Sequence, residues 1–172
     1  RIAQQYYFLP YRRNSATGML RWLLLQFCKQ YLQAVSRQTS FRLLFLQKMK
    51  RFDRTLASHA LDVCTLTLIV AQTYGIPEGE MEALGAGALL HDIGYIRLPR
   101  NLYRKNKDFT EQERTVMQQH PALGQAILRE AKEDRDAVVR IVAEHHERSD
   151  GSGFPHKLQG DSLSVLAQLV GL

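Results

Sequence analysis

Cysteine is scarce in this 172-residue chain, and the only two, Cys28 and Cys64, are too few for a disulfide framework. Each lies in an apolar helical pattern, which favours a reduced, cytoplasmic environment. Long hydrophobic runs are also missing, since runs such as Trp22-Leu23-Leu24-Leu25 are far shorter than the roughly 20 residues of a membrane span. No signal peptide is apparent. The sequence therefore predicts a cytoplasmic protein without a transmembrane segment.

Acidic residues are almost absent from the first third of the chain. Residues 1–54 hold eleven Lys or Arg and one acid, Asp53, whereas residues 55–172 hold twelve bases and sixteen acids. This contrast predicts a boundary near residue 54, between a basic helical N-terminal segment and a second domain. A basic helical segment could contact nucleic acid or an anionic membrane. Because its bases are scattered, we favour a solvated or packed connector, and we expect no nucleic-acid polymer as partner.

Strand-like alternation is not evident anywhere, whereas apolar residues recur at helical spacing, so the sequence predicts an all-α fold. Helices are expected over 19–36, from Ser40 to about residue 54, over 57–74, over 78–94, from Thr110 to about His120, over 122–132, from Asp134 or Asp136 to His145, and from Asp161 or Ser162 onwards. Residues 95–109 and 149–160 are expected to be loops, because they contain proline, glycine and polar residues. Thr110 and Glu113 form the capping-box pattern of a helix start.

Histidines form the most informative pattern in the chain. Five of the six histidines, all except His156, lie around the pair His91-Asp92. They are His59, His91, His120, His145 and His146. Imidazole and carboxylate suit iron, manganese, zinc or nickel, and six ligands exceed the needs of one tetrahedral site. Adjacent helical residues point about 100° apart, so His91 and Asp92 are best explained by two ions that share the aspartate. Two such ions suit in-line displacement at phosphorus.

The order of these motifs resembles the HD-GYP family of bacterial cyclic-di-GMP phosphodiesterases, from about Arg54 to Leu172. The matching pieces are His59, His91-Asp92-Ile93-Gly94, His120-Pro121, His145-His146-Glu147-Arg148 and Asp150-Gly151-Ser152-Gly153-Phe154-Pro155. The resemblance implies an HD-domain helical bundle around a binuclear metal site. Three departures stand out: Phe154 replaces the family's tyrosine, Tyr95 replaces a lysine, and the last metal-binding aspartate would fall just past Leu172. Thr55 replaces the glutamate of three-ion members, so we expect two ions.

The resemblance also implies roles for individual residues. It assigns one ion to His59, His91 and Asp92, and the other to Asp92, His120, His145 and His146. Asp92 would act in catalysis as the bridging carboxylate that holds a hydroxide between the cations, a nucleophile at neutral pH. Iron or manganese, divalent or mixed-valence, is favoured over zinc because no thiolate is present. Substrate-binding or loop-supporting roles fall to Tyr95, Lys105, Arg148, Asp150, Gly151, Gly153 and Phe154, with Arg148 and Asp150 pairing to hold the loop.

The implied activity is hydrolysis of cyclic-di-GMP, or a related cyclic dinucleotide, to the linear dinucleotide or GMP. A protein partner, such as a diguanylate cyclase domain, is expected at the Gly153-Phe154-Pro155 loop. The alternative is a degenerate signalling module that binds metal, and nucleotide, without turnover; Tyr95 and Phe154 favour it. A general His-Asp nucleotide phosphohydrolase is disfavoured by the Gly-Phe-Pro loop. Lys105 also has the plain alternative of being a solvated loop base.

Overall fold

The computed structural model describes residues 39–105, 108–133 and 135–171. These residues form eight α-helices: α1 Thr39–Phe52, α2 Arg54–Thr73, α3 Glu78–Leu90, α4 Arg100–Tyr103, α5 Glu111–Met117, α6 His120–Glu130, α7 Asp136–Glu144 and α8 Val165–Val170. Two short 3-10 helices cover Ile93–Arg97 and Gly160–Ser162. The only pairing of strand type in this part of the chain is an isolated bridge between Asp150 and Gln159. The all-α prediction is confirmed, and the helix expected over 19–36, like Cys28, lies outside the described residues.

Helix α3 lies at the centre of the core, packed against α2 and α7. Its small residues make close packing possible: a Cβ atom on Gly87 would stand 2.7 Å from the side chain of Ile141 on α7. The larger residues Leu84, Leu89 and Leu90 are completely buried. Because α3 ends at Leu90, this packing places the following His91-Asp92 pair deep in the molecule, where α6 and α7 also meet.

Helix α1 precedes the predicted boundary at residue 54 and packs against α2. Its Phe45 and Met49 are buried in the same core as the residues of α2 and α3. The described end of the basic segment therefore belongs to the packed bundle. A separate N-terminal segment stays a prediction about residues that lie before Thr39.

Several predicted helix ends are wrong, and capping or local packing explains the observed ones. Helix α2 starts at Arg54, because the Asp53 side chain accepts a hydrogen bond from the Thr55 backbone at 2.9 Å and caps it. The predicted 95–109 loop contains most of a 3-10 helix and the short α4, whose Leu102 is buried. His120 begins α6 and does not end the preceding helix, and the proline that follows it is tolerated in a first helical turn. The Thr110–Glu113 capping box is confirmed.

One described helix, α2, is long and apolar enough to cross a membrane by length and composition alone, with a mean hydropathy of 1.3. Core helices of water-exposed domains meet the same criterion. Here α2 buries seven residues against the rest of the bundle, among them Leu56, Cys64 and Leu68. The absence of a membrane span stays a prediction.

Candidate metal centre

All but one of the six predicted ligands lie at helix ends. His59 comes from α2, but His91 follows the last residue of α3, His120 opens α6, and His145-His146 follow α7. Asp92 has left the helix, with φ −96° and ψ 9°. The change in backbone direction after His91 explains how two adjacent residues can face the same point, which a continuous helix would not allow.

The two carboxylate oxygens of Asp92 face different histidines. Oδ2 lies 3.2 Å from Nε2 of His91 and 3.8 Å from Nε2 of His59. Oδ1 lies 3.3 Å from Nε2 of His120 and 3.7 Å from Nε2 of His145. Asp92 therefore stands between two groups of nitrogen ligands, each of which approaches its own oxygen.

Two ligand groups result, and each could hold a metal ion with donor atoms within 4.8 Å of one another. We call them the His59 group and the His120 group. The His59 group contains His59, His91 and Asp92, and the His120 group contains Asp92, His120, His145 and His146. The division coincides with the one that the sequence resemblance implied.

Backbone carbonyls fix the orientation of three of these imidazoles. Nδ1 of His91 lies 2.7 Å from the carbonyl oxygen of Ala88, three residues earlier. His120 and His145 repeat this contact, at 2.8 and 3.0 Å, with the carbonyls three residues before them. A carbonyl only accepts, so each Nδ1 carries a hydrogen, and in the neutral ring Nε2 then presents a lone pair towards Asp92. This is the outer support that metal-binding histidines ordinarily have.

The nitrogen and oxygen atoms that face one another in the His120 group are suited to binding a cation. Nε2 of His120 lies 3.2 Å from Nε2 of His145, and both approach Oδ1 of Asp92. When the rings are neutral and each Nδ1 carries the hydrogen, the Nε2 atoms and the carboxylate are all acceptors, and they repel one another unless positive charge lies between them. Metal ions would supply that charge, and the nitrogen-and-oxygen donor set suits divalent first-row metals.

Burial and charge set the protonation of the cluster. Burial raises the pKa of Asp92, but positive charge on His91 and hydrogen bonds from neighbouring imidazoles whose Nε2 carries a proton outweigh it and hold this pKa well below its usual range. Burial lowers the pKa of His145, and burial with the charge of neighbouring histidines lowers that of His146 to about 3. Burial also opposes charge on His91, yet Asp92 raises its pKa overall. A carboxylate with mainly neutral imidazoles is the state that binds metal.

The cluster opens to solvent through a cleft of about 300 Å³. Its lining consists of His59, Val63, His91, Asp92, Tyr95, His145, His146, Val170 and Gly171. His59 is the exposed ligand, with 57% of its side chain accessible, whereas the side chain of His120 is 1% accessible. A metal ion or a substrate would therefore enter the cleft on the His59 side. Among the residues that the structure describes, none of those lining the cleft is a lysine or arginine.

Two aromatic rings cover ligands of the His120 group. Tyr95, where the family resemblance expected lysine, stacks on His120 with ring centroids 4.1 Å apart. Phe154 stacks on His146 at 4.6 Å. Both predicted substrate residues therefore lie in contact with the ligand groups.

The loop from Asp150 to Pro155 is attached to the end of α7 by close backbone contact. A Cβ atom on Gly153 would stand 2.4 Å from the Arg148 nitrogen, so only glycine fits there. Gly151 has a positive φ of 78°. The buried carboxylate of Glu147 accepts hydrogen bonds from the backbone nitrogens of His156 and Leu158, at 2.5 and 2.9 Å.

The predicted pairing of Arg148 with Asp150 is replaced by other contacts. Arg148 donates to the carbonyl of Gly171 at 3.1 Å, and Asp150 accepts from the backbone of Ser152 at 2.8 Å. Hydrogen bonds to Ser152, with a smaller effect of the Arg148 charge, hold the pKa of Asp150 below its ordinary value. Each side chain supports the local backbone, and Glu147 is the residue that holds the loop.

Lys105 does not line the cleft. It pairs with Glu113, the capping-box residue of α5, and its ammonium lies 6.0 Å from the centre of the Phe109 ring. A larger depression, about 400 Å³, lies between α1 and α6. Arg97 and Glu130 on its rim pair with each other, and it holds no ligand group. The chemistry of the described residues is therefore concentrated in the smaller cleft.

Sequence reasoning missed two contributors to this site. Glu147 was part of the quoted motif without a role, although a carboxylate directly after a histidine doublet was a visible signal. Tyr103 lies behind Tyr95, with ring centroids 5.1 Å apart, and nothing in the sequence pointed to it.

These features define an HD domain, and the model of the HD domain family matches residues 42–172. The chain belongs to the HD domain family. A solved structure with a similar fold is Bd1817, a HDG"Y"P protein from Bdellovibrio bacteriovorus, with a TM-score of 0.60 and 22% sequence identity. The similarity covers 94% of this chain and 61% of that one.

Among curated relatives, a cyclic di-GMP phosphodiesterase of Pseudomonas aeruginosa is 32% identical over 127 residues, 74% of this chain and 31% of its own length. A 3'3'-cGAMP-specific phosphodiesterase of Vibrio cholerae is 30% identical over 139 residues, 79% of this chain and 27% of its own. The response regulator RpfG of Xanthomonas campestris, a cyclic di-GMP phosphodiesterase, is 35% identical over 105 residues, 60% of this chain and 28% of its own. The chain thus spans less than a third of the length of these relatives.

Proposed function

We propose that this chain carries an HD-GYP-type, metal-dependent phosphodiesterase that hydrolyses cyclic-di-GMP, or a related cyclic dinucleotide, to the linear dinucleotide or GMP. The observation that carries the proposal is the position of Asp92, whose two oxygens face separate histidine groups. Relatives that act on cyclic-di-GMP and on 3'3'-cGAMP support the substrate class. They leave both dinucleotides as candidates.

The residues of the chain have distinct tasks in this proposal. Asp92 joins the His59 group to the His120 group and fixes their separation, while the backbone-anchored histidines present their Nε2 lone pairs. When bound, two cations supply an activated water and neutralise the non-bridging oxygens of a phosphodiester. The cleft admits the phosphodiester from the His59 side, because that ligand is the exposed one. Burial of His91, Asp92, His120 and His145 limits the access of bulk water to these ligands.

One assay tests the proposal directly. Purified protein is loaded with iron or manganese, incubated with cyclic-di-GMP or 3'3'-cGAMP, and followed by chromatography, with D92A as the matched control. We expect a linear dinucleotide or GMP from at least one substrate with the parent protein, and none with D92A. Intact substrate beside a parent protein that holds two ions would contradict the proposed turnover. Hydrolysis of ordinary nucleoside triphosphates alone would indicate a general phosphohydrolase.

The alternative, a module that binds metal and nucleotide without turnover, is favoured by the lack of a phosphate-binding cation among the described residues of the cleft. The described lining of the cleft includes no lysine or arginine, Tyr95 stands at the family's lysine position, and Lys105 is paired with Glu113. Without such a cation, substrate phosphates would depend on the bound ions for charge. Binding of cyclic-di-GMP by the metal-loaded protein in equilibrium dialysis, without any product, would support this alternative.

Two further proposals concern the surroundings of the domain. We propose the loop Gly153–Pro155 as the contact for a protein partner, such as a diguanylate cyclase domain. We also propose a cytoplasmic location, consistent with the free and buried Cys64. Loss of co-purification after a charge is placed at exposed Ser152 beside the loop would test the partner surface.

A further inference from the structure

The imidazole of His120 is held by contacts at both ring nitrogens and on one face of the ring. Its Nδ1 is bound to the carbonyl of Met117, and its Nε2 faces Asp92. One face of the ring is covered by Tyr95, with centroids 4.1 Å apart and planes inclined by only 14°. Its contact with the ring of His146 is edge-on, at 86°. Tyr95 is therefore the residue that lies flat on this ligand.

Tyr95 is itself immobilised from behind. Its ring contacts Tyr103 of α4 at 5.1 Å, and Tyr103 contacts Phe52 of α1 at 5.3 Å. Helices α4 and α1 thus keep the Tyr95 ring against the imidazole, and a swing away from His120 would have to displace Tyr103 and Phe52.

The backbone beside Tyr95 fits the start of α6 equally closely. A Cβ atom on Gly94 would stand 1.9 Å from the carbonyl oxygen of His120 and 2.7 Å from the Gly124 nitrogen. The 3-10 helix that carries Tyr95 is therefore in direct contact with the backbone that carries the ligand. Both the ring and the main chain of His120 are positioned by the same short segment.

We propose that Tyr95 is a positioning residue for the His120 group. The ring of Tyr95 holds the imidazole of His120 in the orientation that binds metal. The inference rests on the proposed function, because it takes both ligand groups to hold ions. In this chain the residue after His-Asp-Ile-Gly thus acts through a ligand and does not supply a cation to a phosphate. The ring contacts of Tyr95 in the described part of the chain are with His120 and Tyr103, so its effect is specific to one group.

A comparison of three variants tests this role. Y95L removes the ring, Y95F keeps the ring and removes only the hydroxyl, and Y74L removes a tyrosine that is 79% exposed on the surface. Binding of Mn²⁺ is measured by calorimetric titration of metal-stripped protein, and binding of Co²⁺ by its visible absorption. Loss of an outer support for a metal ligand typically weakens metal affinity about 10- to 100-fold.

We expect Y95L to weaken one ion by about tenfold or more while the other keeps its affinity. Y95F and Y74L should bind both ions like the parent, and only Y95L should change the Co²⁺ absorption. Unchanged affinities in Y95L would overturn the proposal, and so would a Y95F variant as weak as Y95L. Parallel weakening of both ions together with a lower melting temperature would show a merely structural role. A parent protein that binds a single ion would contradict the binuclear site, yet the difference between Y95L and Y95F would still decide the role of Tyr95.

Discussion

At the scale of single residues, Asp92 connects the two halves of the candidate metal centre. Each of its oxygens approaches histidines of a different group, and the carboxylate itself is largely buried. The other ligands each belong to one group. A substitution at Asp92 should therefore affect both ions, whereas a substitution at one histidine should mainly affect one.

Replacing Asp92 by alanine should abolish binding of both ions, or leave one weakly held, because it removes the shared ligand and its negative charge. H156A is the control, since His156 lies outside both ligand groups and contacts Glu147 through its backbone nitrogen. Elemental analysis of carefully prepared protein should give about two ions per chain for the parent and for H156A. Equal metal loss in D92A and H156A would show that the ligand assignment is wrong.

Phe154 allows a second prediction at this scale. Its ring stacks on His146 at 4.6 Å, so F154Y adds a hydroxyl beside the centre without removing the stacking. We expect higher turnover of cyclic-di-GMP at an unchanged metal content, because a hydroxyl can donate to a phosphate oxygen. Steady-state kinetics and metal analysis on the same samples test this. Equal turnover in both proteins would show that phenylalanine in place of tyrosine at position 154 has no effect on activity.

Y95K is a less simple reversion, since it adds a cation but also removes the ring from His120.

At the scale of secondary-structure elements, the helix ends determine where the ligands lie. The segment after α3 shows this best, because Gly94 brings the 3-10 helix against the first residue of α6. The close approach joins His91-Asp92 to His120 through the backbone. This close approach is possible because Gly94 has no side chain.

Replacing Gly94 by alanine should therefore destabilise the fold strongly. The added Cβ would stand 1.9 Å from the carbonyl oxygen of His120, and backbone cannot move aside as a flexible side chain can. We expect a loss at the upper end of the usual overpacking range, about 3 kcal/mol or more. G79A is the matched control, since nothing lies within 4 Å of its added Cβ, and it should gain up to about 1 kcal/mol in a helix. Urea denaturation of both variants measures the difference, and equal stabilities would contradict the packing argument.

The elements also show how far the sequence could predict the structure. Helical spacing identified the all-α fold, and the capping pattern placed the start of α5 at Thr110. The ligand groups were predictable because their residue types and order are distinctive. The position of His120 at a helix start was not predicted, since a proline after it is compatible with both a helix end and a first turn. The Tyr95–Tyr103 contact and the pairing of Arg148 with Gly171 depend on tertiary packing, which no local pattern encodes.

At the scale of the whole molecule, the bundle buries a group of ionisable side chains that water would otherwise solvate. His145, His120 and Asp92 are each nearly inaccessible. Such groups make the stability of the fold depend on pH, since folding changes their affinity for protons. Bound ions would make that dependence steeper, because they occupy the same lone pairs and keep the folded chain from taking up protons that the unfolded chain binds.

The metal-stripped protein should accordingly lose stability on acidification. The folded pKa of His146 is about 3, against an ordinary value of 6.5, and that of His145 is also lowered. Between these two values the unfolded chain binds protons that the folded chain does not, so the free energy of unfolding falls as the pH drops from about 6.5 towards 3. The lowered pKa of Asp92 acts in the same direction, but only below its ordinary value of 3.8. The raised pKa of His91 acts in the opposite sense above pH 6.5, outside this window.

Urea denaturation of metal-stripped protein at several pH values between 7.5 and 4 measures this dependence. H146Q is the control, because glutamine keeps a polar side chain beside Phe154 but does not titrate, and its stability should fall less steeply with acid. Since His145 remains, some slope should persist in that variant. The same slope in parent and H146Q would show that His146 is not held neutral by the fold. Saturating Mn²⁺ should raise the stability of the parent at pH 7.5 by mass action, and should lose this effect as protons compete for the histidines.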